Sequence, residues 1–422
     1  MKHHYMNPLA ALCLMALAAM PAAAQQHKCS SHSNYISNFA NDPAAAQRRA
    51  DLEAFTRQYA VSPQAVRNVI RIPVVVHVVY NTPDQNVSDA QIHAQIDVLN
   101  EDFRNINTNR LNSGDPFYAA VGDAEIEFCL ADTDPDGNPT NGITRTSTTV
   151  TSFSSSADDV KDPSKGGVAN WDPTRYLNMY VCELDGTTLG YASFPSELAT
   201  DPEKDGIAIR PQAFGKGGTA GSGSFTENDL GRTATHEVGH WLNLFHIWGD
   251  AVCGDDEVAD TPVHEDDEGN SGCPSFPFNA NSACGTDANG EMYMNYMDYT
   301  DDNCMAMFSK GQVTRMRAAL AGPRAALMFS DGCSGIANVD APSLEKSLHL
   351  YPNPASDLLS IRWTGAIAEI QIINLQGSIQ YKANLPGNIR HQINLEAMPA
   401  GYYFLRATIG GATTTRAFSI NK

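Results

Sequence analysis

His236-Glu237-Val238-Gly239-His240-Trp241-Leu242-Asn243-Leu244-Phe245-His246 is the stretch from which the rest of the chain can be read. On a helix, residues four apart share a face, about 5–6 Å apart at Cβ. His236 and His240 therefore turn two imidazoles toward one point, and Glu237 stands beside the first. His246 cannot share that face unless the helix ends before it. Asn243 is where it can end, because Asn tolerates the left-handed conformation of a tight helix exit. Three neutral imidazoles and an open fourth position describe a catalytic zinc site rather than a structural one. Zinc held in this way lowers the pKa of its water to about 7. Glu237 is then the candidate general base, and the acid that passes the proton to a leaving amine.

A second stretch, Met294-Asn295-Tyr296-Met297-Asp298-Tyr299-Thr300-Asp301-Asp302, lies downstream. The pair of stretches resembles the metzincin metalloproteases, in which the third His is followed by a tight turn carrying a Met. By that resemblance Met297 packs beneath the imidazoles without ligating. Tyr299 lies where some metzincins place a Tyr near the zinc. A phenol there could donate to a developing oxyanion; a packed rim Tyr is the alternative. Asn243 stands where the family pattern has Gly.

The chain has 422 residues, 42% of them hydrophobic, and a net charge of −20. That length suits two or three domains, and that charge argues against a nucleic-acid partner. Met1–Ala24 reads as a secretory signal. Lys2 gives the positive start, Leu9–Ala19 the apolar run, and Ala22-Ala23-Ala24 the small-residue site before Gln25. An N-terminal anchor is the alternative, although the run is short for a bilayer. No later stretch is long and apolar enough for a transmembrane helix, so the mature protein is expected to be soluble and exported, where disulfides persist.

Residues 25–71 differ in texture from the β-branched stretch after them and read as a pro-segment. Cys29 stands alone near its start. It could cap the zinc and silence the proenzyme, as metzincin zymogens do, or be an ordinary disulfide partner. Arg67 and Arg71 are candidate maturation points.

The catalytic domain is expected over 72–330. Ile72–Tyr80 is a β-branched run suited to a strand covered on both faces. His77 within it reads as a core or hydrogen-bonded His. Ser88-Asp89-Ala90-Gln91 reads as a capping box opening a helix with Ile92, Ile96, Leu99 and Phe103 on one face. Strand followed by capped helix opens an α/β sandwich. Glu125–Leu130 and Tyr176–Val181 read as further strands. Asp132–Gly137 imitates a calcium hand but reads as a turn, because the twelfth position is Ile143. Gly206–Arg210 suits an edge strand, which could accept an extended peptide by strand addition. Gly215–Ser224 reads as a flexible loop leading into the active-site helix from about Thr226.

Beyond the His motif, the acidic stretch Cys253–Pro262 suits either a hard, oxygen-ligated cation or a solvated loop. Cys253, Cys273, Cys284 and Cys304 allow three pairings. Cys129 and Cys182 read as buried free thiols, and Cys333 has no assignment. Ser309-Lys310-Gly311-Gln312 opens a closing helix with a second capping box.

The motif at 236–246, the loop Val258–Pro262, the turn at 295–302 with Cys304, the helix beginning at Gly311, Leu189–Pro195 and Ile72–Tyr80 together resemble the pappalysin family of metzincins. The resemblance spans about residues 70–328. It implies a zinc endopeptidase and an α/β (α+β) domain with the zinc cleft between upper and lower subdomains. It also implies calcium near Asp256, Val258 and Thr261, and the pairings Cys253–Cys284 and Cys273–Cys304.

Residues 331–344 read as a linker and 345–422 as a separate module. The module carries net +3, which leaves −23 on the rest. Short alternating runs at 358–363, 367–374, 393–395, 402–407 and 413–420 argue for an all-β, immunoglobulin-like sandwich. Leu350–Pro354, Asn374–Gly377 and Gly401–Tyr403 resemble the C-terminal sorting domain of the type IX secretion system. That likeness implies outer-membrane secretion machinery as a partner; a carbohydrate- or substrate-binding module is the alternative. For the whole chain the expected partners are protein or peptide substrates. The rival functions are a non-catalytic secreted binding or adhesion protein and a zinc amidase of small substrates.

Overall fold

The computed structural model describes residues 29–42, 44–61, 69–265, 272–279, 283–284, 288–330, 332–333, 348–363, 368–375, 377–385, 390–409 and 412–422. The expected leader, Arg67 and most of the expected linker lie outside them.

Two helices come first, α1 (Ser31–Asn41) and α2 (Ala45–Val61). The first strand, β1 (Ile70–Tyr80), begins just before the expected domain boundary and is buried from Ile72 to Val79. Arg71 is part of it and pairs with Glu127 at 3.3 Å, so cleavage after Arg71 would cut inside a strand. β2 (Ile126–Leu130) and β3 (Ile143–Ser147) pair along one side of β1, and β4 (Leu177–Val181) pairs along the other, all parallel. The continuous apolar run is explained by this placement, since both faces of a central parallel strand are covered. His77 is fully buried there and is held by Thr144 Oγ1 at 2.7 Å and Asn178 Oδ1 at 3.0 Å.

The sheet ends differently from expectation. β5 (Gly190–Ala192) is its outer strand, and β6 (Ile207–Ile209) lies between β4 and β5. Gly206–Arg210 is therefore not the edge. Its three strand residues are all fully buried and pair with β4 on one side and β5 on the other. β5 runs antiparallel to β6, in a sheet otherwise parallel.

Helix α3 (Asp89–Phe103) packs Ile92, Ile96, Leu99 and Phe103 into the main core. Ser88 caps it by accepting from Gln91 N, but the box is not reciprocal. The Gln91 amide instead donates to the carbonyls of Pro211 and Phe214, and Thr219 N donates back to it. This ties the Gly-rich loop to α3. The active-site helix α4 (Arg232–Trp241) starts later than Thr226, with Gly231 at φ 76° as its N-cap. Leu230 N and Arg232 N donate to the buried Asp302 carboxylate, which caps that helix from a distance. The closing helix α5 (Lys310–Ala321) has the full capping box between Ser309 and Gln312.

From 242 to 309 there is no long helix or strand among the described residues. The disulfides Cys253–Cys284 and Cys273–Cys304 brace this region. Cys129 is not a free thiol: it pairs with Cys333, across 204 positions of sequence, with the Cα atoms 6.3 Å apart. Cys182 is free and buried.

The C-terminal module is all-β. β7 (His349–Tyr351), β8 (Leu358–Arg362), β9 (Ala368–Asn374), β10 (Ile379–Leu385), β11 (Arg390–Asn394), β12 (Gly401–Ile409) and β13 (Ala412–Ile420) form two antiparallel sheets. Their orders are β10-β9-β12-β13 and β11-β8-β7. Leu359, Ile361, Trp363, Ile370, Leu405 and Phe418 fill the core between them.

Candidate active site

All residues of α4 are buried. Asp102 on α3 anchors the helix: it accepts from Thr235 Oγ1 at 2.6 Å and Tyr296 OH at 3.0 Å and pairs with Arg232. This one carboxylate joins α3, α4 and the turn at 294–302.

The helix stops where the sequence predicts. Asn243 has φ 75°, and Leu244 N closes the exit by donating to Gly239 O. The reversal brings His246 Nε2 to 3.1 Å from His240 Nε2, which is also 3.1 Å from His236 Nε2. The opposite ring nitrogens are all committed. His236 Nδ1 meets Tyr296 O at 2.7 Å, His240 Nδ1 meets Leu244 O at 2.8 Å, and His246 Nδ1 meets Asp250 Oδ1 at 2.5 Å. Such partners fix the tautomer and leave three Nε2 lone pairs facing one another. Burial, then the neighbouring His246 and His236, hold the His240 pKa well below its ordinary value. Converging neutral imidazoles are a donor set that fits zinc. Asp250 escaped the sequence reading, although a carboxylate four residues after a candidate ligand is a readable signal.

Met297 lies under this group. A Cβ added to Gly239 would stand 2.5 Å from the Met297 sulfur. Tyr299 OH lies 3.2 Å from His246 Nε2 and donates to Cys29 O at 3.4 Å.

Glu237 is fully buried, and burial pushes its pKa up to about 8, against the hydrogen bonds from Ser31 and Cys29. Ser31 Oγ donates to its Oε2 at 2.8 Å. A Cβ on Gly190 would stand 2.9 Å from Glu237 Cγ, so the outer strand passes directly over the carboxylate. Ser31 and Gly190 were not legible as site residues, because each acts only through a contact across the fold.

Cys29 completes a buried cluster with the three His, all ligand atoms lying within 4.8 Å of one another. Its backbone bridges Gly190 of β5, with Ser30 N donating to Gly190 O at 3.2 Å. Burial and the Glu237 charge push the thiol well above its ordinary pKa, so a thiolate there requires a cation.

Asp256, Val258 and Thr261 also come together. Thr261 Oγ1 donates to Asp256 Oδ1 at 2.9 Å and lies 2.8 Å from Val258 O. Burial raises the Asp256 pKa to about 7.

The profile of the pregnancy-associated plasma protein-A family, the pappalysins, matches residues 164–321. An extracellular metalloprotease of Pyricularia oryzae is 32% identical over 267 residues, covering 62% of this chain and 78% of its own length. The chain belongs to the pappalysin family. The pappalysin likeness extends to structure: a Glu→Ala variant of Tannerella forsythia promirolysin shares 47% identity at a TM-score of 0.65, over 71% of this chain and 97% of that one. The chain spans about half the length, 48%, of an extracellular metalloprotease of Verticillium alfalfae, to which it is 38% identical over 148 residues and 34% of itself. The profile of the secretion system C-terminal sorting domain matches residues 349–421. This pappalysin is thus an exported protein. No helix among its described residues is long and apolar enough to cross a membrane.

Proposed function

We propose that this pappalysin is a secreted zinc-dependent endopeptidase, made with residues 25–71 as a silencing pro-segment and with residues 345–422 as an address read by outer-membrane secretion machinery. The observation that carries the reading is the convergence of three buried imidazole nitrogens beside Glu237.

Zinc held by His236, His240 and His246 would supply Lewis-acid polarisation of a scissile carbonyl and acidification of a water molecule. Glu237 takes the proton of the attacking water and delivers it to the leaving nitrogen. Tyr299 OH, once free of Cys29 O, donates to the oxygen that becomes negative. Met297 packs under the ligands. The open side of β5 takes the main chain of an extended peptide, whose backbone amides find partners in Gly190 and Ala192.

In the proenzyme each of these functions is blocked by the first described residues. Cys29 offers its sulfur to the metal, Ser31 holds Glu237, and Ser30 occupies the β5 edge. Release of the segment frees Glu237 from Ser31 and opens it to water. Asp256, the Val258 carbonyl and Thr261 would hold calcium, bracing the loop behind His246. The retained base distinguishes this chain from a binding protein with a relic metal site, and the strand edge that release of the segment uncovers favours peptides over small amides.

The test is cleavage of denatured protein by the matured chain, before and after a zinc chelator and after zinc is restored. Activity that is lost and then recovered supports the reading. Cleavage indifferent to the chelator overturns it.

A further inference from the structure

The first turns of α1 do more than cover the metal centre. Tyr35 is 2% exposed, and its ring stacks on Phe194 with centroids 4.4 Å apart and planes at 29°. Its hydroxyl shares a hydrogen bond with Ser196 Oγ at 3.1 Å. Phe194 in turn lies 5.6 Å from Phe245 and 5.4 Å from the ring of His240. Tyr35, Phe194 and Phe245 form a small aromatic core of their own, separate from the main core. The Arg49 guanidinium closes it, 5.7 Å from the Tyr35 centroid and 4.7 Å from that of Phe245.

Two of these rings and the serine belong to the part of the chain expected to persist after maturation. Tyr35 and Arg49 belong to the part expected to leave. Departure uncovers two aromatic faces beside a metal ligand, with a hydroxyl at the far end of the hollow. Exposed aromatic surface next to an open strand edge favours a new apolar occupant. The departing segment pairs its backbone at Cys29 with Gly190 of β5, then turns into α1, from whose first turns the Tyr35 side chain fills the hollow. Strand-addition recognition has this division of labour, with main chain on the edge and side chains in pockets. Gly190 is level with Glu237, and Phe194 comes four residues later. At about 3.3 Å per residue the hollow lies within roughly four substrate residues of the scissile bond.

We propose that Phe194, Phe245 and Ser196 form a substrate subsite for an aromatic side chain, tyrosine above all, which Tyr35 fills until the pro-segment is released. The proposal deepens the peptidase reading and rests on it. The ring stacks on Phe194, and Ser196 Oγ pairs with the phenol, so the subsite distinguishes Tyr from Phe as well as aromatic from aliphatic.

The test uses the full chain after secretion and maturation, a peptide library read by mass spectrometry, and a matched pair of peptides with Tyr or Phe at the selected position. The expected result is enrichment of Tyr and Phe at one fixed position within four residues of the cut. In Ser196→Ala the ratio of kcat/KM for the Tyr peptide to that for the Phe peptide falls about fivefold, as expected for one neutral hydrogen bond. The Phe peptide serves as the internal reference for fold and chemistry. Cleavage without aromatic enrichment, or a Tyr-to-Phe ratio unmoved by Ser196→Ala, overturns this proposal alone. Failure of the wild type to cut any library member overturns the peptidase reading and this proposal with it.

Discussion

The sulfur of Met297 occupies the space that a Cβ on residue 239 would need, 2.5 Å from where that atom would stand. The glycine between the two helical His residues is therefore a packing requirement of the turn below. Gly239→Ala forces either the Met side chain or α4 to shift, and overpacking of this kind costs about 1–3 kcal/mol. The expected outcome is lower stability and weaker zinc retention on dialysis. Combining it with Met297→Ala should cost less than the sum of the two changes, because the second relieves the clash created by the first. Additive losses in chemical denaturation would contradict this.

Glu53 of α2 makes a two-pronged, buried ion pair with Arg315 of α5, at 2.6 and 2.5 Å. Arg315 Nε also donates to Asn243 O, at the helix exit that positions His246. Removing one partner of a buried pair leaves the other charge uncompensated, at a cost of about 3–5 kcal/mol. Glu53→Ala should lower the unfolding free energy of the full chain by that order and speed its conversion to active enzyme. Stability and latency equal to those of the wild type would count against a latch at this position.

His77 gives a pH dependence of defined sign. Burial depresses its pKa from 6.5 to about 4, partly opposed by the hydrogen bond to Asn178. The folded state keeps the ring neutral, while the unfolded chain takes up a proton below 6.5. Stability from this group is full above pH 6.5 and is lost as pH falls toward 4, by about 3 kcal/mol in all. His77→Gln should flatten the stability curve over that window. An unchanged slope would show that other groups set it.

Asp256 behaves in the opposite sense. Its pKa is raised by burial to about 7. Without a cation, the stability from its neutral form is full below 3.8 and is lost as pH rises through 7. Calcium should therefore bind more tightly as pH rises to 7 and release a proton as it does so. At a hundredfold excess over Kd it should stabilise the protein by about 2.7 kcal/mol. Thermal unfolding with and without calcium checks this, and Asp256→Ala should abolish the shift.

The site was largely legible because its information is local. His236, His240 and Glu237 are set by helical spacing, and the left-handed Asn243 is set by one residue's backbone preference. The alternating runs of β12 and β13 likewise report a half-buried face. What escaped depends on partners distant in sequence. The polar segment around Ser31 is helical because it packs against the catalytic domain, and its own residues do not require a helix. The edge of the sheet was assigned to Gly206–Arg210, but the neighbour of a three-residue strand is settled by the tertiary fold. Cys129 looked like a core thiol because nothing in its surroundings points to Cys333. The edge strand is the omission with consequences, since Gly190 brings together Glu237, Cys29 and the peptide-binding main chain.

The measurement that bears most directly on the central claim compares the matured wild type with Glu237→Gln, reading zinc content and cleavage of a denatured protein in the same preparations. Both proteins should hold about one zinc per chain, because His236, His240 and His246 are unchanged. Cleavage should fall by about 10²–10⁴-fold in the variant, the range for loss of a general base. A variant that keeps its zinc and cuts at the wild-type rate, or a wild type that cuts with no zinc bound, would contradict the account.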